Sequence, residues 1–224
     1  MILFNFLVKK MSTNIFKINY KCYNQTNSRR GVKMKNKIEL IRKSISASLL
    51  IALGNYALLK LGNPIGPIIF AFGLLGVCYM GQNLFTGKCG FLFQDKIKIT
   101  DLIIILMFNL IGGYLFGLLF SYTDQEIVTN AITKVSTWSI SIPFFIKSVL
   151  CGIIMYIAVF MYKKSTPLGI IYGIPLFIFC GFQHCIANIV TLGVARTFDY
   201  SIIICIIGNF LGSLFMWFIS KDSK

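Results

Sequence analysis

The chain has 224 residues, of which 56% are hydrophobic and only 13% are charged, and its mean hydropathy is +0.77. A soluble domain of this size needs far more polar surface than this composition provides, so a soluble globular protein is excluded. The formal net charge of +15 would suit a nucleic-acid-binding protein, but the distribution of the charges argues against it. Half of the 22 lysine and arginine residues precede residue 44, and most of the others lie in every second loop between apolar stretches.

The chain divides into a basic N-terminal tail and an apolar domain. We predict a disordered cytoplasmic tail over residues 1–40 and a six-span transmembrane domain over residues 41–221. A helix needs about 20 apolar residues to cross the hydrocarbon core of a bilayer. Stretches of suitable length, free of acidic residues except near their ends, occur at 45–62, 64–83, 99–120, 141–162, 167–195 and 200–219. The predicted fold class is therefore an all-α membrane protein with six transmembrane helices.

The charges of the loops alternate along the chain. Lysines follow spans two, four and six, at Lys88, Lys96, Lys98, Lys163, Lys164, Lys221 and Lys224. Acidic residues mark the loops after spans three and five, at Asp124, Glu126 and Asp199. Because cytoplasmic loops carry an excess of lysine and arginine, this pattern predicts that both termini are cytoplasmic and that the spans cross the cell membrane. The predicted partner is thus the lipid bilayer and not a nucleic acid.

Several glycine, proline and asparagine residues recur at an offset of one hundred, which indicates an internal repeat. The pairs are Pro67 and Pro167, Gly73 and Gly173, Gly81 and Gly181, Asn109 and Asn209, and Gly112 and Gly212. Each half contains three spans, an odd number, so the second half must enter the membrane from the opposite side. Two inverted repeats of this kind are a recurring architecture of transport proteins. The small residues after each asparagine favour close helix packing.

Spans two and five each contain a glycine followed by polar residues, which predicts a broken helix. Span two carries GQNLFTG at residues 81–87, and span five carries GFQHCIAN at residues 181–188. The backbone groups left unpaired at such a break must be satisfied by protein or by a water-filled cavity. Paired breaks at corresponding places in two repeats indicate a substrate path.

His184 is the only histidine in the chain, and it lies within the break of span five. An imidazole at this place can donate a hydrogen bond to an anion or transfer a proton, and the alternative is a structural hydrogen bond to a neighbouring helix. Asn188 follows one helical turn later. Its amide can orient the imidazole, contact the substrate or bond to a neighbouring helix.

The segments 81–87 and 181–188, together with the Asn-x-x-Gly motifs that begin at Asn109 and Asn209, closely resemble the formate/nitrite transporter family. The resemblance covers roughly residues 40–220. It implies aquaporin-like protomers of six spans, each with its own pore, that assemble as homopentamers. It also implies transport of a small monovalent anion such as formate, nitrite or hydrosulfide, and it leaves proton coupling open.

The same resemblance implies roles for individual residues. Thr86 is expected in the loop of the broken second span, and His184 is expected at the centre of the pore with the amide of Asn188 nearby. Lys134 is expected to attract anions into the vestibule, although most lysines in loops are simply solvated. The apolar constrictions are expected at Phe70, Leu74, Leu84, Phe85 and Phe177.

Three positions depart from the pattern of this family. Asn83 and Gln183 carry amides where the family usually has carboxylates, and Gly152 occupies a position where asparagine is common. The two amides remain candidate pore residues, but they remove negative charge near His184. The departures therefore leave the substrate and its proton coupling open.

A bare anion is costly to desolvate, so we expect it to concentrate in the vestibule and to accept a proton before the neutral acid passes the constrictions. A neutral-solute channel of the aquaporin kind is one alternative, although the paired Asn-Pro-Ala motif is absent, and a non-transporting membrane subunit is another. No enzyme activity is predicted, because no span carries paired carboxylates, a histidine cluster or a Ser/His/Asp set. The seven cysteines lack metal-ligand spacing, so no cofactor is expected.

Overall fold

The computed structural model describes residues 37–220, and all regular elements in that range are helical. The first half contains α1 (Lys37–Leu61), α2 (Ile65–Tyr79), α3 (Phe85–Lys88), a 3₁₀ turn (Cys89–Phe91) and α4 (Ile99–Phe120). A short helix, α5 (Gln125–Ser136), leads to the second half, which contains α6 (Ile142–Lys163), α7 (Leu168–Phe179), α8 (Cys185–Val194) and α9 (Ser201–Ser220). Of the described helices, α1, α4, α6 and α9 are long and apolar enough to cross a membrane.

The four long helices lie where the sequence predicts spans one, three, four and six, with one difference at the start. α1 begins at Lys37 and not at residue 45. Its polar first turns are supported by an ion pair between Glu39 Oε1 and Lys43 Nζ (2.8 Å), which lie four residues apart on one helix face. Residues 37–40, predicted as tail, are therefore helical, and the rest of the predicted tail lies outside the described residues.

The predicted spans two and five each correspond to two shorter helices. Residues 80–84 separate α2 from α3, and residues 180–184 separate α7 from α8. In each interval the backbone leaves the helical conformation at a glycine with positive φ, +62° at Gly81 and +66° at Gly181. A residue with a Cβ would be strained in this left-handed conformation, which explains the choice of glycine at both turns.

α5 is absent from the sequence prediction, which places Lys134 in a loop. Asp124 caps the first turn of this helix, with Oδ1 accepting a hydrogen bond from the Glu126 N–H at 2.8 Å. Ile127 and Ala131 lie one turn apart and are fully buried, in a cluster with side chains of α1 and α8. A helix of 12 residues with one apolar face is too short and too polar to be recognised as a membrane span.

The helices define two faces of the molecule, which we call the first and second face. At the first face, Lys163 Nζ at the end of α6 donates to Asp95 Oδ2 in the loop before α4 (2.6 Å). At the second face, Lys60 Nζ at the end of α1 donates to Asp124 Oδ2 just before α5 (2.6 Å). α1 and α4 thus run from the first face to the second, whereas α6 runs in the opposite direction. α1 packs on α2 and α4, and α6 packs on α7 and α9.

Gly212 lies where α9 crosses α6, and a Cβ at this position would overlap the carbonyl oxygen of Val149. We expect Gly212→Ala to push the two helices apart and to destabilise the detergent-solubilised protein by about 1–3 kcal/mol, the usual range for overpacking. Thermal unfolding measures the effect. Gly173→Ala is the matched control, because its nearest neighbour is the flexible side chain of Ile154, 3.2 Å from the added Cβ. Equal thermal midpoints for the two variants would contradict the close packing.

Candidate functional site

Asn109 on α4 holds the interval between α2 and α3, residues 80–84, in place. Its Oδ1 accepts a hydrogen bond from the Phe85 N–H, the first N–H of α3, at 2.7 Å. Its Nδ2 donates to the carbonyl oxygens of Ser44 (2.8 Å) and Asn83 (3.0 Å). The side chain is fully buried. One amide therefore satisfies two backbone groups of the interval between α2 and α3, the Phe85 N–H and the Asn83 carbonyl, and ties them to the Ser44 carbonyl on α1.

Asn209 on α9 bonds in the same way to the interval between α7 and α8, residues 180–184. Its Oδ1 accepts from the Cys185 N–H, the first N–H of α8, at 2.8 Å. Its Nδ2 donates to the carbonyl oxygens of Ser148 and Gln183, both at 2.8 Å. Sequence reasoning found the asparagine pair through its offset of one hundred but related it only to helix packing, so this role was missed.

Thr86, in the first turn of α3, and His184, the N-cap residue of α8, come together. Thr86 Oγ1 lies 2.8 Å from His184 Nε2, and both side chains are buried. His184 Nδ1 accepts a hydrogen bond from the Ala187 N–H at 3.0 Å, so the imidazole also caps α8. Because Nδ1 acts as an acceptor, the proton of the neutral ring is assigned to Nε2, which then donates to Thr86. The Thr86 hydroxyl proton stays available for another acceptor.

Apolar side chains surround this hydrogen bond. The Phe177 ring stacks on the His184 ring with centroids 5.8 Å apart, and Phe70 meets Phe177 edge-to-face at 6.2 Å. All five predicted constriction residues are at most 4% exposed: Phe70, Leu74, Leu84, Phe85 and Phe177. The structure thus places one polar pair inside an apolar core, where an unpaired polar solute would lose its hydration.

Gln183 and Asn188 form a second polar pair beside His184. Asn188 Nδ2 donates to Gln183 Oε1 at 2.9 Å, and Gln183 Nε2 donates to the Gly181 carbonyl at 3.0 Å. No hydrogen bond within the described chain joins the Asn188 amide to the imidazole. The group that orients His184 is instead the backbone N–H of Ala187.

Asn83 contributes to the first break through its backbone. Its N–H donates to the carbonyl of Lys43 at 3.2 Å, and its carbonyl accepts from Asn109 Nδ2. The glycine at position 152 is explained by packing, since a Cβ there would overlap the Asn209 carbonyl oxygen on α9. An asparagine side chain could not be accommodated at position 152 without moving α9, so this departure follows from packing.

Lys134 lies on α5 and is not in contact with the Thr86–His184 pair. Its side chain is half-buried, and within residues 37–220 its ammonium has no ion pair or hydrogen bond. The loss of hydration lowers the pKa of Lys134 from 10.5 to about 8. A lysine with this pKa is partly neutral at physiological pH and becomes more charged as the pH falls.

The arrangement offers hydrogen bonds and electrostatic attraction to a small solute. Across residues 37–220, no group of three or more His, Cys, Asp or Glu side chains could hold a metal ion. The polar pair at the centre is bordered by the buried side chains of Phe70 and Phe177, which suits passage of a solute that sheds its water for a short distance.

Comparison with known proteins identifies similar sequences. A profile of the family described as "Formate/nitrite transporter" matches residues 25–199. The chain is 26% identical over 203 residues to "Uncharacterized transporter YwcJ" of Bacillus subtilis (strain 168), covering 77% of this chain and 79% of the relative. It is 26% identical over 144 residues to "Formate channel FocA" of Haemophilus influenzae, covering 55% of this chain and 51% of that protein.

Two solved structures share the fold. One, described as "FNT family ion channel", has a TM-score of 0.64 and 21% sequence identity, and the match covers 93% of this chain and 94% of the other. The second, described as "Pentameric formate channel with formate bound", has a TM-score of 0.65 and 17% identity, and the match covers 84% and 95% of the two chains. At these identities the likeness concerns the fold alone.

Proposed function

Because this chain belongs to the formate/nitrite transporter family, a family of membrane transporters and not of enzymes, we propose that it moves a small monovalent anion, or the conjugate weak acid, through a pore in each protomer. Formate, nitrite and hydrosulfide are the candidate substrates. The observation that carries this proposal is the Thr86–His184 hydrogen bond of 2.8 Å, which lies between two helix breaks and among apolar side chains.

We also propose that the two halves are inverted repeats, with α2–α3 and α7–α8 as two broken spans. The support is the equivalent bonding of Asn109 and Asn209, one hundred residues apart, each to one N–H and two carbonyl groups. A further support is the opposite direction of α1 and α6. Together with the four long helices, the two broken spans would make six crossings.

The apolar constrictions set the form in which the substrate passes. Transfer of a bare ion into an apolar medium costs tens of kcal/mol, whereas a hydrogen bond to a charged group returns about 1.5–3 kcal/mol. The donors of Thr86 and His184 cannot offset that cost for an anion. A weak acid that takes up a proton before it enters avoids most of the cost, so the neutral acid is the form that crosses.

The imidazole is a hydrogen-bond donor in this scheme and not the source of the proton. Its Nδ1 already accepts from the Ala187 N–H, so a second ring proton at Nδ1 would oppose that donor and uncap α8. Water in the vestibule supplies the proton instead. His184 Nε2–H and the Thr86 hydroxyl then contact the oxygen or sulfur atoms of the neutral acid as it passes.

Lys134 attracts the anion at the second face, and its lowered pKa makes that attraction depend on pH. The ammonium is charged below about pH 8 and loses its charge as the pH rises through that value. In Lys134→Arg the side chain stays charged from pH 7 to pH 9. We expect the uptake rate of the original protein, divided by that of Lys134→Arg, to fall about threefold between pH 7 and pH 9 at low ionic strength.

Taking the ratio removes the pH dependence of the substrate's own protonation, which is the same for both proteins. Lys134→Gln is the second comparison and should transport more slowly than Lys134→Arg across this pH range, because it carries no charge at position 134. A ratio that stays constant across this range would mean that Lys134 does not attract the substrate.

We place the protein in the cell membrane with both termini cytoplasmic, so that the first face is the cytoplasmic one, and we propose a homopentamer. The alternation of lysine-rich and acidic loops supports this orientation. Exposed apolar residues along α4, including Ile103, Met107 and Ile111, fit contact with lipid or with a neighbouring protomer. One of the similar structures is described as pentameric.

Transport is tested with purified protein in liposomes. Formate, nitrite and hydrosulfide are added in turn, and solute uptake and luminal pH are recorded together. Saturable uptake of one of them, accompanied by one proton per anion, would support the proposal. Uptake without protons would contradict the neutral-acid scheme, and liposome swelling in glycerol without anion uptake would replace the anion pore with a neutral-solute channel.

A further inference from the structure

α8 belongs to the second half of the chain, yet it packs mainly against the first half. Every residue of this helix, Cys185–Val194, is buried. It lies closest to α4, where Gly117 and Gly193 let the two backbones approach each other, and it also contacts α1 and α5. Most of these contacts are apolar, and apolar attraction has no direction. Burial alone therefore fixes the rotation and axial position of α8 less tightly than a hydrogen bond does.

Asn55 on α1 forms a hydrogen bond with Thr191 on α8. Asn55 Nδ2 donates to Thr191 Oγ1 at 3.2 Å, and both side chains are fully buried. Thr191 Oγ1 lies 3.1 Å from the Ala187 carbonyl oxygen and 3.4 Å from Asn55 Oδ1. The single hydroxyl proton is assigned to the shorter contact, so Thr191 donates to Ala187. Within residues 37–220, only this bond and the Thr86–His184 bond join side chains of α8 and its N-cap residue to the first half.

Ala187 connects this bond to the imidazole. Its carbonyl accepts from Thr191, and its N–H donates to His184 Nδ1 at 3.0 Å. The Nε2 atom of the same ring lies 2.8 Å from Thr86 Oγ1. Because a hydrogen bond weakens beyond about 3.2 Å, a displacement of α8 by about 1 Å is enough to break the contact with Thr86. A chain of hydrogen bonds thus leads from α1, through the first two turns of α8, to the polar pair at the centre.

We propose that Asn55 is a positioning residue for His184, and this inference rests on the function proposed above. Thr86 belongs to the first half and His184 to the second, so their contact requires that α8 be held in one place relative to the first half. Asn55 holds it there through Thr191 and Ala187. The imidazole Nε2 then stays within reach of Thr86, where the two side chains contact the passing acid.

The two halves differ at this place, which argues against a general packing role. An offset of one hundred matches Thr191 with Phe91. The offset of 104 that relates the serine carbonyls bound by the two asparagines matches Asn55 with Val159. Phe91 and Val159 are buried and apolar. The polar pair thus has no counterpart at the matching positions, and it lies on the helix that carries the histidine.

Asn55→Leu tests the proposal by removing the amide while keeping a side chain of similar size. The Thr191 hydroxyl keeps its bond to the Ala187 carbonyl, so no buried donor is left unpaired and the protein should fold. We expect anion uptake in liposomes to slow by about twofold to tenfold, the range for a weakened hydrogen bond between neutral groups at the Thr86–His184 pair. A rate within about 1.5-fold of the original would overturn the proposal.

Combination with His184→Asn separates positioning from other effects of the change. The His184→Asn protein has no contact with Thr86 left to align, so adding Asn55→Leu should slow it no further. Equal slowing of the original and of the His184→Asn protein would assign Asn55 to another role and overturn the proposal. Ser44→Ala is the matched control on α1. Its buried hydroxyl bonds within its own helix, to the Leu40 carbonyl at 2.8 Å, so this variant should keep the original rate.

The imidazole provides a readout that does not depend on transport. His184 is the only histidine in the chain, so its ¹⁵N-labelled Nε2 gives a single magnetic resonance signal. Thr86→Val supplies the reference signal without the hydrogen-bond partner. We expect the signal of Asn55→Leu to move towards this reference, and an unchanged signal would overturn the proposal. If the signal moves but the original protein transports none of the three anions, the proposed function fails while the positioning by Asn55 stands.

Assembly of the variants gives the last decision. Asn55→Leu combined with Thr191→Val replaces both partners by apolar side chains of similar shape, which is often nearly neutral for stability. The combined variant should therefore assemble, and it should show the same slower uptake and the same movement of the Nε2 signal. If neither Asn55→Leu nor the combined variant assembles while Thr191→Ser does, the bond serves folding and the proposal is wrong.

Discussion

His184→Asn is expected to leave a folded protein that transports its substrate about twofold to tenfold more slowly. Asparagine is among the best helix N-cap residues, so its Oδ1 can take over the hydrogen bond from the Ala187 N–H that His184 Nδ1 now accepts. Its side chain is too short to reach Thr86 as well. Only the donor inside the constriction is lost, and a hydrogen bond of about 0.5–1.5 kcal/mol to the neutral acid corresponds to roughly a twofold to tenfold change in rate.

His184→Ala separates the two roles of the imidazole. It removes both the donor and the cap, so it should transport as slowly as His184→Asn and be about 1 kcal/mol less stable to thermal unfolding. Anion uptake in liposomes and thermal unfolding in detergent measure the two effects. Full transport activity in His184→Asn would show that capping α8 is the whole role of this residue.

Asn209→Ala is expected to destabilise the protein strongly. The change leaves the buried Cys185 N–H without its partner, which costs about 1–3 kcal/mol. The carbonyls of Ser148 and Gln183 each lose one donor but keep another, the helix hydrogen bond of α6 for Ser148 and Cys205 Sγ for Gln183. At about 1 kcal/mol for each of these two lost bonds, the total of about 3–5 kcal/mol is a large part of the stability of an ordinary protein, which is about 5–15 kcal/mol.

Asn130→Ala provides the control for this prediction. Among residues 37–220 the Asn130 amide makes a single hydrogen bond, from Nδ2 to the carbonyl of Leu59 at 2.9 Å, so the same substitution should cost only about 1 kcal/mol. Yield of assembled protein and thermal midpoint are the measurements. An Asn209→Ala protein as stable as Asn130→Ala would mean that water or backbone rearrangement satisfies the break.

Hydrophobicity and glycine placement made much of this fold predictable. The four long helices follow from apolar stretches of spanning length, and the intervals around Gly81 and Gly181 follow from glycine next to polar residues. The resemblance to a transporter family, based on the same two segments, agrees with the family profile over residues 25–199. The helices and the glycine turns depend on local sequence, which is why a single sequence was enough to predict them.

Partners distant in the chain could not be derived in the same way. The Thr86–His184 contact spans 98 residues, and only the resemblance suggested that the two side chains share a pore. Asn188 illustrates the difficulty, because its place one turn after His184 suggested contact with the imidazole, yet its amide bonds to Gln183. A polar side chain on a helix has several possible hydrogen-bond partners within reach, and the packing of other helices decides which of them it contacts.

The bonding of the two asparagines has a consequence for biosynthesis. All partners of Asn109 belong to the first half of the chain, and all partners of Asn209 belong to the second. Because segments made first by the ribosome can fold first, the first half can join α2 to α3 as soon as α4 has been synthesised. The second half then joins α7 to α8 in the same way, and the contact between Thr86 and His184 forms when the two halves associate.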